Sequence, residues 1–124
     1  MSPTQIVLLV IIGAFIILKI KKSFDSRSIP NYSAAETAQK MKSSLNVVLL
    51  DVRTSTERAS RSIKGSIHIP LQELSSKTDQ LKKYKDKEII CYCASGSRSV
   101  SAAIKLKKLG FKFANMLGGI GAWN

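Results

Sequence analysis

From Ile6 to Leu18 the chain carries no polar side chain. A helix lying on a globular surface keeps a polar stripe towards water, and this run has none, so a buried helix of a soluble fold fits it less well than a helix in lipid. With Thr4, Gln5, Lys19 and Ile20 the segment makes a helix of 17 residues, about 25 Å at 1.5 Å per residue, short for a bilayer span but sufficient. Lys19 can snorkel, and Lys21 and Lys22 fall among headgroups. A cleaved secretory signal has its positive charge before the apolar core, whereas here no Lys or Arg precedes Ile6 and Lys19, Lys21, Lys22 and Arg27 follow it. By the positive-inside rule the N-terminus lies outside and the remainder in the cytoplasm. The sequence therefore predicts an uncleaved single-pass anchor over residues 1–22, a polar juxtamembrane linker over 23–28, and one domain over 29–124.

About a hundred residues outside the anchor support one modest core. The formal charge is +12, from 20 Lys and Arg against 8 Asp and Glu. Without the three lysines behind the anchor, 17 basic residues face 8 acidic ones, or +9. That excess attracts anions without choosing among them and suits a domain held near an anionic membrane. Aromatics interleaved with basic residues, as in a nucleic-acid reader, are not found, so no specific nucleic acid is expected as a partner.

Ser33 and Glu36 have capping-box spacing, which predicts a helix to about Lys42. Val47 to Leu50 is a continuous apolar run before Asp51, the mark of a strand buried on both faces. Thr54 and Glu57 repeat the capping-box spacing. Ile67 to Ile69 reads as a short strand stopped by Pro70, and Leu71, Leu74, Leu81 and Tyr84 supply helical pieces before a strand over Glu88 to Tyr92. Val100, Ala103, Ile104 and Leu106 give a helical stripe ended by Gly110, and Phe111 to Met116 closes with a strand. Strand and helix alternate, so the fold class is α/β with a mostly parallel sheet. Ligands of such sheets sit beyond the carboxyl ends of the strands, where both Asp51 and Cys93 fall.

Cys93 closes one strand and opens the small, polar loop Ala94-Ser95-Gly96-Ser97-Arg98-Ser99, which leads into a helix starting near Ser99. Small residues let successive N–H groups turn in around a sulfur, and the helix end adds partial positive charge. Such surroundings lower a thiol's pKa from about 8.5 towards neutrality, although a buried structural cysteine before a glycine turn would look the same in this segment alone. Cys91, two residues earlier on the same strand face, reads as a small buried hydrophobe, the alternative being a thiol that resolves or accepts from Cys93. His68 is the sole histidine and reads as structural; no metal ligand cluster and no cofactor is expected.

Taken together, Leu50-Asp51-Val52-Arg53 with Glu57, Ile63-Lys64-Gly65-Ser66-Ile67-His68-Ile69-Pro70, the Cys93 to Ser99 loop and Gly118-Gly119-Ile120-Gly121-Ala122-Trp123 resemble a single rhodanese-homology domain. The resemblance implies a central parallel sheet flanked by helices and a sulfurtransferase, which the N-terminal anchor would tether to a membrane. Cys93 would be the catalytic nucleophile, carrying sulfur as a persulfide from a thiosulfate-like donor to a thiol acceptor. Ala94, Ser95, Gly96, Ser97, Arg98 and Ser99 would form the substrate-binding loop, with Asp51, Arg53 and Glu57 in support. Arg98 could hold the donor's sulfonate end or pin the loop to a carboxylate such as Glu57. Four residues separate Cys93 from Arg98, whereas the phosphatases and arsenate reductases on this fold use five to hold a tetrahedral oxyanion, so that chemistry ranks below sulfur transfer. A second reading is a binding module whose loop recognises a partner without turnover. The family often has Gly-His where this chain has Arg61-Ser62.

Overall fold

The computed structural model describes residues 2–27 and 29–124. Helix α1 (Pro3–Arg27) is followed by β1 (Asn31–Tyr32), α2 (Ala34–Ser43), β2 (Val47–Asp51), α3 (Ser55–Ser60) and β3 (Ile67–His68). Two 3-10 segments (Leu71–Glu73 and Thr78–Tyr84), β4 (Glu88–Tyr92), α4 (Ser97–Lys108), β5 (Lys112–Met116) and a last 3-10 turn (Gly119–Ala122) complete it. The sheet has the order β1-β5-β4-β2-β3, with every pairing parallel. The fold is thus α/β, a central parallel sheet flanked by helices.

An 18-residue stretch of α1, Pro3–Ile20, is long and apolar enough to cross a bilayer. The helix continues past it, so the segment expected as a linker is helical as far as Arg27; Ser28, the last linker residue, and Met1 lie outside the described residues. The physical reason is that polarity alone does not end a helix, and the first breaker after Gly13 is Pro30.

The capping box forms in full at Thr54 and only by its serine half at Ser33. The Ser33 hydroxyl accepts the Glu36 N–H at 3.0 Å, and at α3 the Thr54 hydroxyl accepts the Glu57 N–H while the Glu57 carboxylate accepts the Thr54 N–H. Gly110, with φ of +84°, ends α4 in the left-handed conformation. The strand β1 was not legible: two residues, one of them polar, carry no periodic signal, and the pairing of Asn31 with Asn115 and Tyr32 with Met116 exists only in the fold.

Alternation along β4 divides the core. Ile89 and Cys91 pack on one face with Leu50, Val52, Ala102 and Leu106, and Cys93 continues that face. Ile90 and Tyr92 point to the other, with Leu49, Ile63, Ala114 and Met116. Each fully buried Leu, such as Leu106 of α4, contributes about 1.5–3 kcal/mol.

Candidate active site

Cys93 follows directly on β4, and its loop turns back over the sulfur. The Gly96 N–H donates to Sγ at 2.9 Å, and the Ser99 hydroxyl lies 3.4 Å from Sγ while bonded at 3.0 Å to the Gly96 carbonyl oxygen. Gly96 can do this because it sits at φ of +114°, a conformation that L side chains rarely adopt. That turn also lets α4 begin at Ser97, two residues before the expected Ser99. Cys93 is buried beneath the exposed Ala94, Ser95 and Ser97. Burial opposes its ionisation, but the Ser99 hydroxyl and the N–H groups of Ser99, Gly96 and Ser95 outweigh it and hold the thiol below its ordinary value.

The Gly118-Gly119 pair is part of the same cradle. Ile120 N–H donates to the Cys93 carbonyl at 2.9 Å, and a Cβ on Gly119 would collide with the Cys93 and Ala94 backbone. This motif is therefore a spacer that lets the C-terminal turn press against the peptide of Cys93. Trp123 packs at the edge of the second core face, and its carbonyl accepts from the Arg61 guanidinium at 2.7 Å.

Arg98 does not reach into the cradle as a free cation. It grips Glu57 with both nitrogens, at 2.6 and 2.8 Å. The guanidinium first, then the Thr54 contacts, hold the Glu57 carboxyl down to about 2. Of the two contacts open for Arg98, the one to the Glu57 carboxylate is present.

Asp51 and Arg53 sit apart from the sulfur. Asp51 is fully buried on the second face of the sheet, where it accepts from Arg53 (2.9 and 3.0 Å), Arg58 (3.2 Å) and the Tyr92 hydroxyl (2.9 Å). Burial raises its pKa, but these donors prevail and its net shift is downward. Arg53 continues to the carbonyls of Glu57 and Arg61. The pair thereby fixes the backbone of α3, whose Glu57 holds Arg98. Arg58 and Tyr92 belong to this network and sequence reasoning missed both: Arg58 reads as a surface helix residue, and Tyr92 as the apolar end of a strand. His68 Nε2 lies 2.8 Å from the Arg53 carbonyl, which accepts its N–H, a structural contact. Cys91 is wholly enclosed in the core, and burial pushes its thiol well up.

A cavity of about 270 Å³ opens beside β3, lined by Ile67, His68, Ile69, Asp79, Gln80, Lys83 and Tyr84. No residue of the Cys93 loop lines it. The Cys93 sulfur lies beneath its own loop, held by the Gly96 N–H.

Residues 33–124 match the Rhodanese-like domain family. A Bacillus subtilis protein named as a sulfurtransferase, YtwF, is 35% identical over 95 residues, covering 77% of this chain and 90% of that protein. Another B. subtilis protein, named as the sulfur carrier YrkF, is 37% identical over 102 residues, 82% of this chain; the chain spans 54% of that relative's length. The crystal structure of a rhodanese-like domain protein from Staphylococcus aureus aligns with a TM-score of 0.72 and 27% identity, covering 77% of this chain and 92% of that one.

Proposed function

Because this chain belongs to the Rhodanese-like domain family, we propose that it is a membrane-tethered sulfurtransferase that carries sulfane sulfur on Cys93. The observation that carries this reading is the sulfur cradle, with the Gly96 N–H at 2.9 Å and the Ser99 hydroxyl at 3.4 Å from Sγ. The Gly96 N–H donated to the sulfur favours a thiolate, the form that attacks sulfur.

In the first half-reaction the Cys93 thiolate attacks the outer sulfur of thiosulfate. A Cys93 S–S bond forms, the donor's S–S bond breaks, and sulfite leaves with the bonding pair, so the negative charge is conserved on the new persulfide. The added sulfur lengthens the side chain by about 2 Å. In the second half-reaction an acceptor thiolate attacks that outer sulfur and Cys93 leaves as thiolate. Two half-reactions through one covalent intermediate give ping-pong kinetics. Loop N–H groups stabilise the anionic sulfur in both halves. Helix α1 is the tether in this reading, and the lysines that follow its apolar stretch support a cytoplasmic domain.

Intact mass spectrometry of the reduced chain after incubation with thiosulfate tests this. A gain of one sulfur that disappears in Cys93→Ser is expected. No gain in a chain whose Cys93 is free and reduced favours the binding-module reading instead.

A further inference from the structure

The end of the sheet opposite Cys93 is ringed by lysines. β2, β4 and β5 start in register there at Val47, Glu88 and Lys112. The loops feeding them meet: Glu88 N–H donates to the Asn46 carbonyl at 2.8 Å, and Lys85 and Lys112 reach the carbonyls of Leu109 and Asp86, each at 3.5 Å. Helices α2 and α4 run back against the strands and end at this base with Lys42 and Lys108. All four lysines are exposed, and so are Leu45 (88%) and Leu109 (42%) of the same loops. Among the described residues of these loops and strand starts the carboxylates are Asp86 and Glu88, and Glu88 is already bonded to the Tyr32 hydroxyl at 2.7 Å. Favourable placement at helix C-termini accounts for Lys42 and Lys108. Lys85 likewise bonds the carbonyl at the end of α4 and lies 4.5 Å over the Phe111 ring, but neither contact accounts for Lys112 or the two exposed leucines.

The N-terminal helix leads to this same end. α1 stops at Arg27, and Ile29 is already buried in the domain. Pro30 and Asn31 then run parallel to β5, with Asn31 opposite Asn115, so the chain enters β1 from the Lys112 side. The apolar stretch of α1 ends at Ile20. From there to Arg27 a helix rises about 10 Å, which leaves the domain against the headgroups rather than a domain's width above them.

The geometry points to the lysine-ringed base as a docking face for an anionic lipid surface, an inference that rests on the proposed tether. Lysines meet lipid phosphates while Leu45 and Leu109 enter the interface. Cys93 then stands on the far side, five strand residues or about 16 Å up β4. The persulfide loop opens away from the bilayer, and its acceptor is a thiol arriving from water, not one embedded in lipid.

Hydrogen exchange of the full chain in nanodiscs of phosphatidylcholine alone, or mixed with phosphatidylglycerol, tests this. With phosphatidylglycerol, exchange should slow over 84–88 and 108–112, stay unchanged over 93–99, and recover in high salt. Lys108→Gln with Lys112→Gln should remove the effect, at about fivefold per lysine in the docking equilibrium, while Lys64→Gln should leave it. Equal exchange in the two lipids, or slowing over 93–99, overturns the docking face. The outcomes separate from those of the tether: a chain retained in phosphatidylcholine nanodiscs but indifferent to phosphatidylglycerol loses the docking face and keeps the tether. A chain that does not enter phosphatidylcholine nanodiscs loses the tether, and the docking face with it.

Discussion

Arg98 and Glu57 meet in a two-point ion pair that joins the first turn of α4 to the first turn of α3. The two side chains are each about one-third exposed, so the pair is a latch at the rim of the cradle rather than part of its floor. Its grip depends on pH in a defined direction. The Glu57 carboxyl is held at about 2 against an ordinary 4.5. A depressed folded value means the contribution is fully present above the ordinary value and is lost as pH falls towards the depressed one. Chemical denaturation at a series of pH values between about 7 and about 3 should therefore show wild type losing stability below about 4.5 more steeply than Glu57→Gln. Parallel profiles would mean that the latch adds nothing to the folded state.

Ser99 lies against the Cys93 sulfur. Its hydroxyl is the leading favourable contact of the Cys93 thiolate and stands 3.4 Å from the sulfur. Ser99→Ala should move the pH midpoint of Cys93 alkylation upward, and Ser99→Thr, which keeps the hydroxyl, should restore part of the shift. The same alkylation midpoint in wild type and Ser99→Ala would assign the lowered pKa to the backbone N–H groups alone.

How much of this was legible in the sequence varies with the range of the interaction. Short-range signals read well: the N-cap at Ser33, the box at Thr54, the strand Glu88–Tyr92, and the left-handed Gly110 all depend on residues a few positions apart. The sulfur loop read well for the same reason. What failed needed contacts across the fold. β1 is visible only through its pairing with β5, and Tyr92 became a polar anchor only because β2 lies beside β4 and brings Asp51 to its hydroxyl. Asp51 and Cys93 both sit at strand ends, as expected, but they lie at positions of opposite pleat. Leu50 and Val52, the neighbours of Asp51, are the residues that share a face with Cys93. Position along the strand was legible; which side of the sheet each residue faced depended on its register.

That opposition yields a separate expectation for Asp51→Asn. The substitution leaves the Arg53 and Arg58 guanidiniums without their carboxylate, and Arg53 is almost wholly buried. Removing one partner of a buried ion pair costs about 3–5 kcal/mol, which should appear as a large fall in the denaturation midpoint. Alkylation of the folded variant should keep the wild-type pH profile, since Asp51 makes its contacts on the other face. A profile displaced as far as that of Ser99→Ala would make Asp51 part of the thiol's surroundings after all.

Gly119 and Gly121 lie two residues apart and should respond to the same change in opposite ways. A methyl group on Gly119 would run into the backbone of Cys93 and Ala94, and the residue also sits at φ of +61°. Neither obstacle can move cheaply, because one of the two carbonyls it meets, that of Cys93, accepts the Ile120 N–H and anchors the C-terminal turn to the loop. Gly119→Ala should therefore cost about 2 kcal/mol or more and slow sulfur loading of the remaining folded protein, because the peptide that must shift is the nucleophile's own. At Gly121 an added Cβ meets nothing within 4 Å and its φ is not in the left-handed region, so Gly121→Ala should leave both properties near wild type. Measuring denaturation midpoint and thiosulfate-dependent mass gain on the two variants side by side separates a specific collision from a general intolerance of the turn. Equal losses in both would assign the motif to the turn's own folding and remove its role in shaping the cradle.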